Sequence, residues 1–76
     1  MPYGYVTRFD EERGFGFVLE DGEAEEIEFH SSAVIGDMRD LVGQRVTFDK
    51  RIDHRDQSRM RALNVRLLEG PGRLMN

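Results

Sequence analysis

With 76 residues, no cysteine and 34% charged side chains, the chain has room for one small core and no disulfide or thiolate-metal bond to staple it. Hydrophobic residues at 38% suit a small folded domain better than a disordered chain, and no apolar run is long enough for a helical membrane span. The net charge of −4 argues on average against a polyanionic partner, but it hides a split: residues 1–40 carry 3 basic and 11 acidic side chains, whereas residues 41–76 carry 8 and 4.

The start Met1-Pro2-Tyr3 has neither the basic nor the apolar region of a signal peptide, so a cytoplasmic location is expected. Glycines at 4, 14, 16, 22, 36 and 43 cut the chain into segments too short for long helices. Residues 3–9 and 14–19 read as strands joined by the polar turn Asp10-Glu11-Glu12-Arg13, forming a hairpin. In the run Arg13-Gly14-Phe15-Gly16-Phe17-Val18, alternation puts Phe15 and Phe17 on one face. Two rings so placed form a platform for unpaired bases, each stacked base being worth about 1–3 kcal/mol. An aromatic strand face is equally a core face, and six residues do not separate the two readings.

Residues 25–30 alternate with Ile27 and Phe29 inward and Glu26, Glu28 and His30 outward. The connection 31–44 contains Ser32-Ala33-Val34, enough for one helical turn. Residues 45–52 place Val46, Phe48 and Ile52 inward, and residues 61–68 place Leu63, Val65 and Leu67 inward, with a polar, arginine-rich loop at 53–59. Five half-buried strands are too few for a sandwich. The economical solution is an all-β, five-stranded antiparallel Greek-key barrel of the OB-fold type, spanning residues 1–69, with 70–76 as a flexible tail.

The remaining titratable groups form no catalytic or metal constellation. No second histidine, cysteine or serine constellation accompanies His30, and His54 lies far along the chain, so no enzyme, cofactor, metal or small-molecule substrate is expected. The acidic run 20–26 lacks calcium-loop spacing and reads as a solvated turn; it could also dock on the basic half of another copy as a weak homo-oligomer. Met1, Met38, Met60 and Met75 follow no helical stripe and read as gap fillers or ends. Arg51, Arg55, Arg59 and Arg61 gather at the last loop, either as a footprint for phosphates or as a solvated charge run paired with Asp49, Asp53 and Asp56.

Over residues 3–68 the sequence resembles the bacterial cold-shock domain. The resemblance rests on Gly4-Tyr5-Val6 with Phe9, on the Arg13 to Val18 run as a first ribonucleoprotein motif, and on His30 with Ser32-Ala33-Val34 as the end of the second. Leu41, Gly43-Gln44, Val46 and Phe48, then Ala62 and Asn64-Val65, continue it in order. The RNA-recognition motif shares the Gly-Phe-Gly-Phe core, but carries it on a late strand after a helix.

The resemblance implies single-stranded RNA or DNA as partner, with Phe15, Phe17 and His30 as stacking groups, Phe9 beside them and Arg13 near a phosphate. Arg8 at the edge and Arg59 and Arg61 of the last loop complete the expected interface. It further implies an RNA chaperone or a regulator of transcription or translation under cold stress. The chain departs from the family where an exposed tryptophan after a lysine is replaced by Thr7-Arg8, where two phenylalanines are replaced by Glu28 and Ser31, and where Met38 or Arg39 stands in place of a loop aromatic. These losses predict weaker binding, which Arg8 partly offsets because a guanidinium also stacks on bases. The competing expectation is a barrel that has lost much of its stacking surface and uses its charge split to bind itself or another protein.

Overall fold

The computed structural model describes residues 2–37 and 39–68; the expected tail at 70–76 and Met1, Met38 and Met75 lie outside the described residues. Strands β1 (Tyr3–Asp10), β2 (Phe15–Glu20) and β3 (Glu26–His30) form an antiparallel meander. A 3₁₀ turn at Ser31–Ala33, one residue earlier than the expected helical turn, leads into a two-residue strand β4 (Val34–Ile35) within the connection. Strands β5 (Arg45–Ile52) and β6 (Met60–Leu67) form the second hairpin.

Antiparallel pairing of β1 with β5 joins the two halves, and parallel pairing of β3 with β6 closes the wall. The closing pairs are Glu28 with Arg61 and Phe29 with Ala62. The result is the expected five-stranded barrel, with β4 added alongside β6. Closure leaves the core to Val6, Val18, Phe29, Leu41, Val46, Phe48, Ala62 and Val65. Ile27, Leu67 and Phe9 pack against them from partly buried positions.

Two residues expected inward are not. Leu63 is 39% exposed and Ile52 58%. For Leu63 the cause is a bulge: Asp49 pairs with Leu63 and Thr47 with Arg66, so Asn64 and Val65 both lie opposite Phe48. Asn64 takes φ 52, the left-handed conformation that asparagine tolerates better than most residues. Alternation changes phase there, turning Ala62 and Val65 in and Leu63 out. Ile52 lies beyond the wall: pairing of β1 with β5 extends only from Arg45 to Thr47, so Ile52 meets only Met60.

A second bulge falls in β1, where Val6 pairs with Val18 but Arg8 with Phe17, leaving Thr7 as the extra residue. Val6 and Phe9 consequently both turn inward. The Phe9 ring lies parallel to that of Phe29, with centroids 6.0 Å apart. Gly16 passes beneath these rings: a Cβ there would stand 2.6 Å from the Arg8 carbonyl oxygen, 2.7 Å from Phe29 Cζ and 2.9 Å from Phe9 Cδ1. Backbone cannot yield as a flexible side chain can. Gly16→Ala is therefore expected to destabilise the barrel by about 1–3 kcal/mol through overpacking, read as a lower urea midpoint at unchanged m-value.

Candidate nucleic-acid interface

Register arranges the outer face of β1, β2 and β3 in rows. Asp10, Phe15 and His30 form one, and Arg8, Phe17, Glu28 and Arg61 the next. Phe15 and Phe17, two apart on β2, stand side by side, half-buried, with centroids 5.8 Å apart and planes at 81°. Neither belongs to the core. The ambiguity of the aromatic strand thus resolves toward the surface, since Phe9, Phe29 and Phe48 fill the interior instead.

Phe9 is the expected site residue that the fold moves elsewhere. The β1 bulge reverses its face, so it packs on Phe29 rather than beside Phe15 and Phe17, and its open side faces Glu11, Leu41 and Val42. Arg8 takes the outer position, with its guanidinium carbon 4.3 Å from the Phe17 centroid and its side chain still 64% exposed. Arg8 Nη2 donates to Glu26 Oε1 at 2.8 Å, and the Thr7 hydroxyl donates to the other carboxylate oxygen. The Thr7 bond, aided by Arg8, holds the Glu26 carboxyl below its ordinary value. The pair is complete above the usual carboxylate range and is lost as pH falls through that lowered value.

The sequence places Glu26 on the outer face but does not pair it with Arg8, because only the register brings the two within reach. Glu28, directly opposite Phe17, is half-buried and lies 3.6 Å from Arg59 Nη2, so its charge is locally balanced. His30 is exposed beside Phe15, with Nδ1 3.5 Å from the Ser32 hydroxyl. The Ser31 amide donates to the Gly14 carbonyl at 2.8 Å, tying the end of β3 to the start of β2. Arg13 is exposed, 3.8 Å from Asp10 across the turn.

A groove of about 410 Å³ brings Arg13, Phe15, Glu28, His30, Arg59 and Arg61 together. Arg8 and Phe17 adjoin it through the row they share with Glu28 and Arg61. Arg39, in the connection, donates to both carboxylate oxygens of Asp37, from Nε to Oδ1 at 3.2 Å and from Nη2 to Oδ2 at 2.7 Å, and pulls that carboxyl down to about 2. The acidic run is likewise engaged within the chain, Glu20 with Lys50 and Asp21 with Arg45. Among the described residues no helix is long and apolar enough to cross a membrane.

A comparison with protein families matches residues 2–68 to the 'Cold-shock' DNA-binding domain. No curated protein sequence matches the chain significantly. Among solved structures, the chain is similar to Drosophila Unr CSD456, with TM-score 0.72 and 22% identity over 92% of this chain. The match spans 27% of that longer chain, and at this identity it supports the fold alone.

Proposed function

This chain belongs to the cold-shock DNA-binding domain family, a domain type that implies single-stranded nucleic-acid binding rather than catalysis, and on that premise we propose that bases stack on Phe15, Phe17 and His30. The observation that carries the assignment is that Phe15 and Phe17 stand outside a core already filled by other rings. Arg13 and Arg61 hold phosphates at the groove, and Arg59 joins them when its contact with Glu28 opens. Such a surface traps unpaired bases and so favours melted over paired segments. In a cell that activity is an RNA chaperone or a regulator of transcription or translation, acting in the cytoplasm.

Binding is weaker than a full aromatic face would give, because Glu28 and Ser31 offer no ring. Arg8 supplies a substitute: stacked on Phe17, it presents a planar cation to the next base. Arg8→Ala is expected to weaken oligo-dT binding by about three- to tenfold and to reduce the log-log salt slope by about 0.7, read by fluorescence anisotropy at several salt concentrations. Tighter binding in this variant would mean that Arg8 shields the ring instead.

The decisive experiment is anisotropy of labelled oligo-dT and oligo-U, about seven nucleotides long, at low and physiological salt. Saturable binding supports the reading, and none up to high protein concentration rejects it. The self-associating reading draws on the charge split, but three acidic residues of the run, Glu20, Asp21 and Glu26, are already paired within the chain. Sedimentation without oligonucleotide tests it directly, a concentration-dependent mass being the result in its favour.

A further inference from the structure

The β5–β6 hairpin continues past the closed wall as an arm. Between this arm and the 3₁₀ turn Ser31–Ala33 opens a groove of about 1060 Å³, more than twice the volume of the groove beside Phe15. Lys50, Arg51, Arg55 and Arg61 line it and no carboxylate does, in a chain whose net charge is −4. Lys50 is held by Glu20 at 2.8 Å. The side chains of Arg51, Arg55 and Arg61 make no ion pair among the described residues.

Arg51 and Arg61 are direct cross-strand partners. Like charges directly opposed on neighbouring strands are destabilising, and an anion seated between them reverses the sign. Arg61 gains little from its other in-register neighbour, Glu28, whose carboxylate lies against Arg59. Ile52, Met60 and Leu63 give the groove an apolar surface that the core does not use, exposed by 58%, 40% and 39%. A single strand offers what this lining lacks: regularly spaced anions joined to apolar ring faces. His30, Arg55 and Arg61 border both grooves, so the second continues the first.

We propose that this groove is a second nucleic-acid subsite, which carries the single strand on from the Phe15–His30 row with Arg51, Arg55 and Arg61 on its phosphates and bases against Ile52 and Met60. The inference rests on the proposed function and assigns the path the strand takes. An acidic peptide would satisfy the cations, but would not require continuity with the aromatic face.

The test compares fluorescein-labelled oligo-dT of about four and about nine nucleotides against wild type and Arg51→Ala/Ile52→Ala, two residues that line the second groove and not the first. Both residues are exposed, so the fold should be retained, as a thermal melt will verify. The double variant is expected to lose about tenfold in affinity for the longer strand, to stay within about twofold for the shorter, and to reduce the longer strand's salt slope by about 0.7. Equal weakening at both lengths would assign Arg51 to a general field and overturn the subsite, as would no change at either length. Capture of a labelled oligoglutamate peptide, lost in the double variant while both oligonucleotides bind normally, would overturn it in favour of an acidic protein segment. Absence of wild-type binding at either length would reject both the subsite and the proposed function, whereas normal binding of the short strand isolates failure to the second groove.

Discussion

Replacing Phe15 and Phe17 together by alanine is expected to weaken binding of a seven-nucleotide oligo-dT by about 30-fold to a thousandfold while leaving a folded barrel. In the proposed stacking each ring presents a face to one base, and two such contacts at about 1–3 kcal/mol each give that range even with imperfect additivity. The barrel loses the edge contact between the rings, the Arg8 contact and the apolar area that two half-buried rings cover, together about 2–3 kcal/mol. Thermal melts followed by circular dichroism should fall by roughly 10–20 °C and remain cooperative. Of the single variants, Phe15→Ala should cost more than Phe17→Ala, because Arg8 already covers one face of Phe17 and partly replaces it. A folded double variant binding as wild type does would reduce the rings to surface cover and remove the stacking mechanism.

The strands were legible because alternation is strict between bulges. Ile27 and Phe29, or Val46 and Phe48, declare an inner face whatever their neighbours do. Alternation fails where an extra residue enters, and both failures have the same form. Val6 and Phe9 are three apart, as are Ala62 and Val65, yet each pair faces inward. Strict alternation sends the two members of such a pair to opposite faces, which placed Leu63 with the core, while the family resemblance placed Phe9 with the ligand. Two apolar residues three apart in one strand are thus a usable sign of a bulge, stronger where Asn64 offers a left-handed conformation at the needed point. The aromatic platform itself was legible as Gly-Phe-Gly-Phe. The ionic contacts around it were not, since Arg8 with Glu26 and Glu28 with Arg59 depend on register across separate hairpins.

Phe29→Ala is expected to have the larger effect on stability. Phe29 is fully buried on β3, faces Phe9 ring to ring, and pairs with Ala62 at the strand junction that closes the barrel. Truncation leaves a cavity at that seam and costs about 3–5 kcal/mol, out of roughly 4–11 kcal/mol in total for a domain of this length. The melting midpoint should fall by about 15–30 °C, and binding should fall with the folded fraction rather than with any lost contact to bases. That distinction is measurable: affinity corrected for the folded fraction stays near wild type in Phe29→Ala and collapses in Phe15→Ala/Phe17→Ala. Retention of the wild-type midpoint would contradict the placement of Phe29 at the seam. The crowding at Gly16 supplies an independent check, because a Cβ there meets the Phe29 ring. Gly16→Ala combined with Phe29→Leu should be less destabilising than the sum of the single changes, by about 0.5 kcal/mol or more. The relief is incomplete, since the Arg8 carbonyl still stands 2.6 Å from the same Cβ and moves only with the β1 bulge that carries Arg8 onto Phe17.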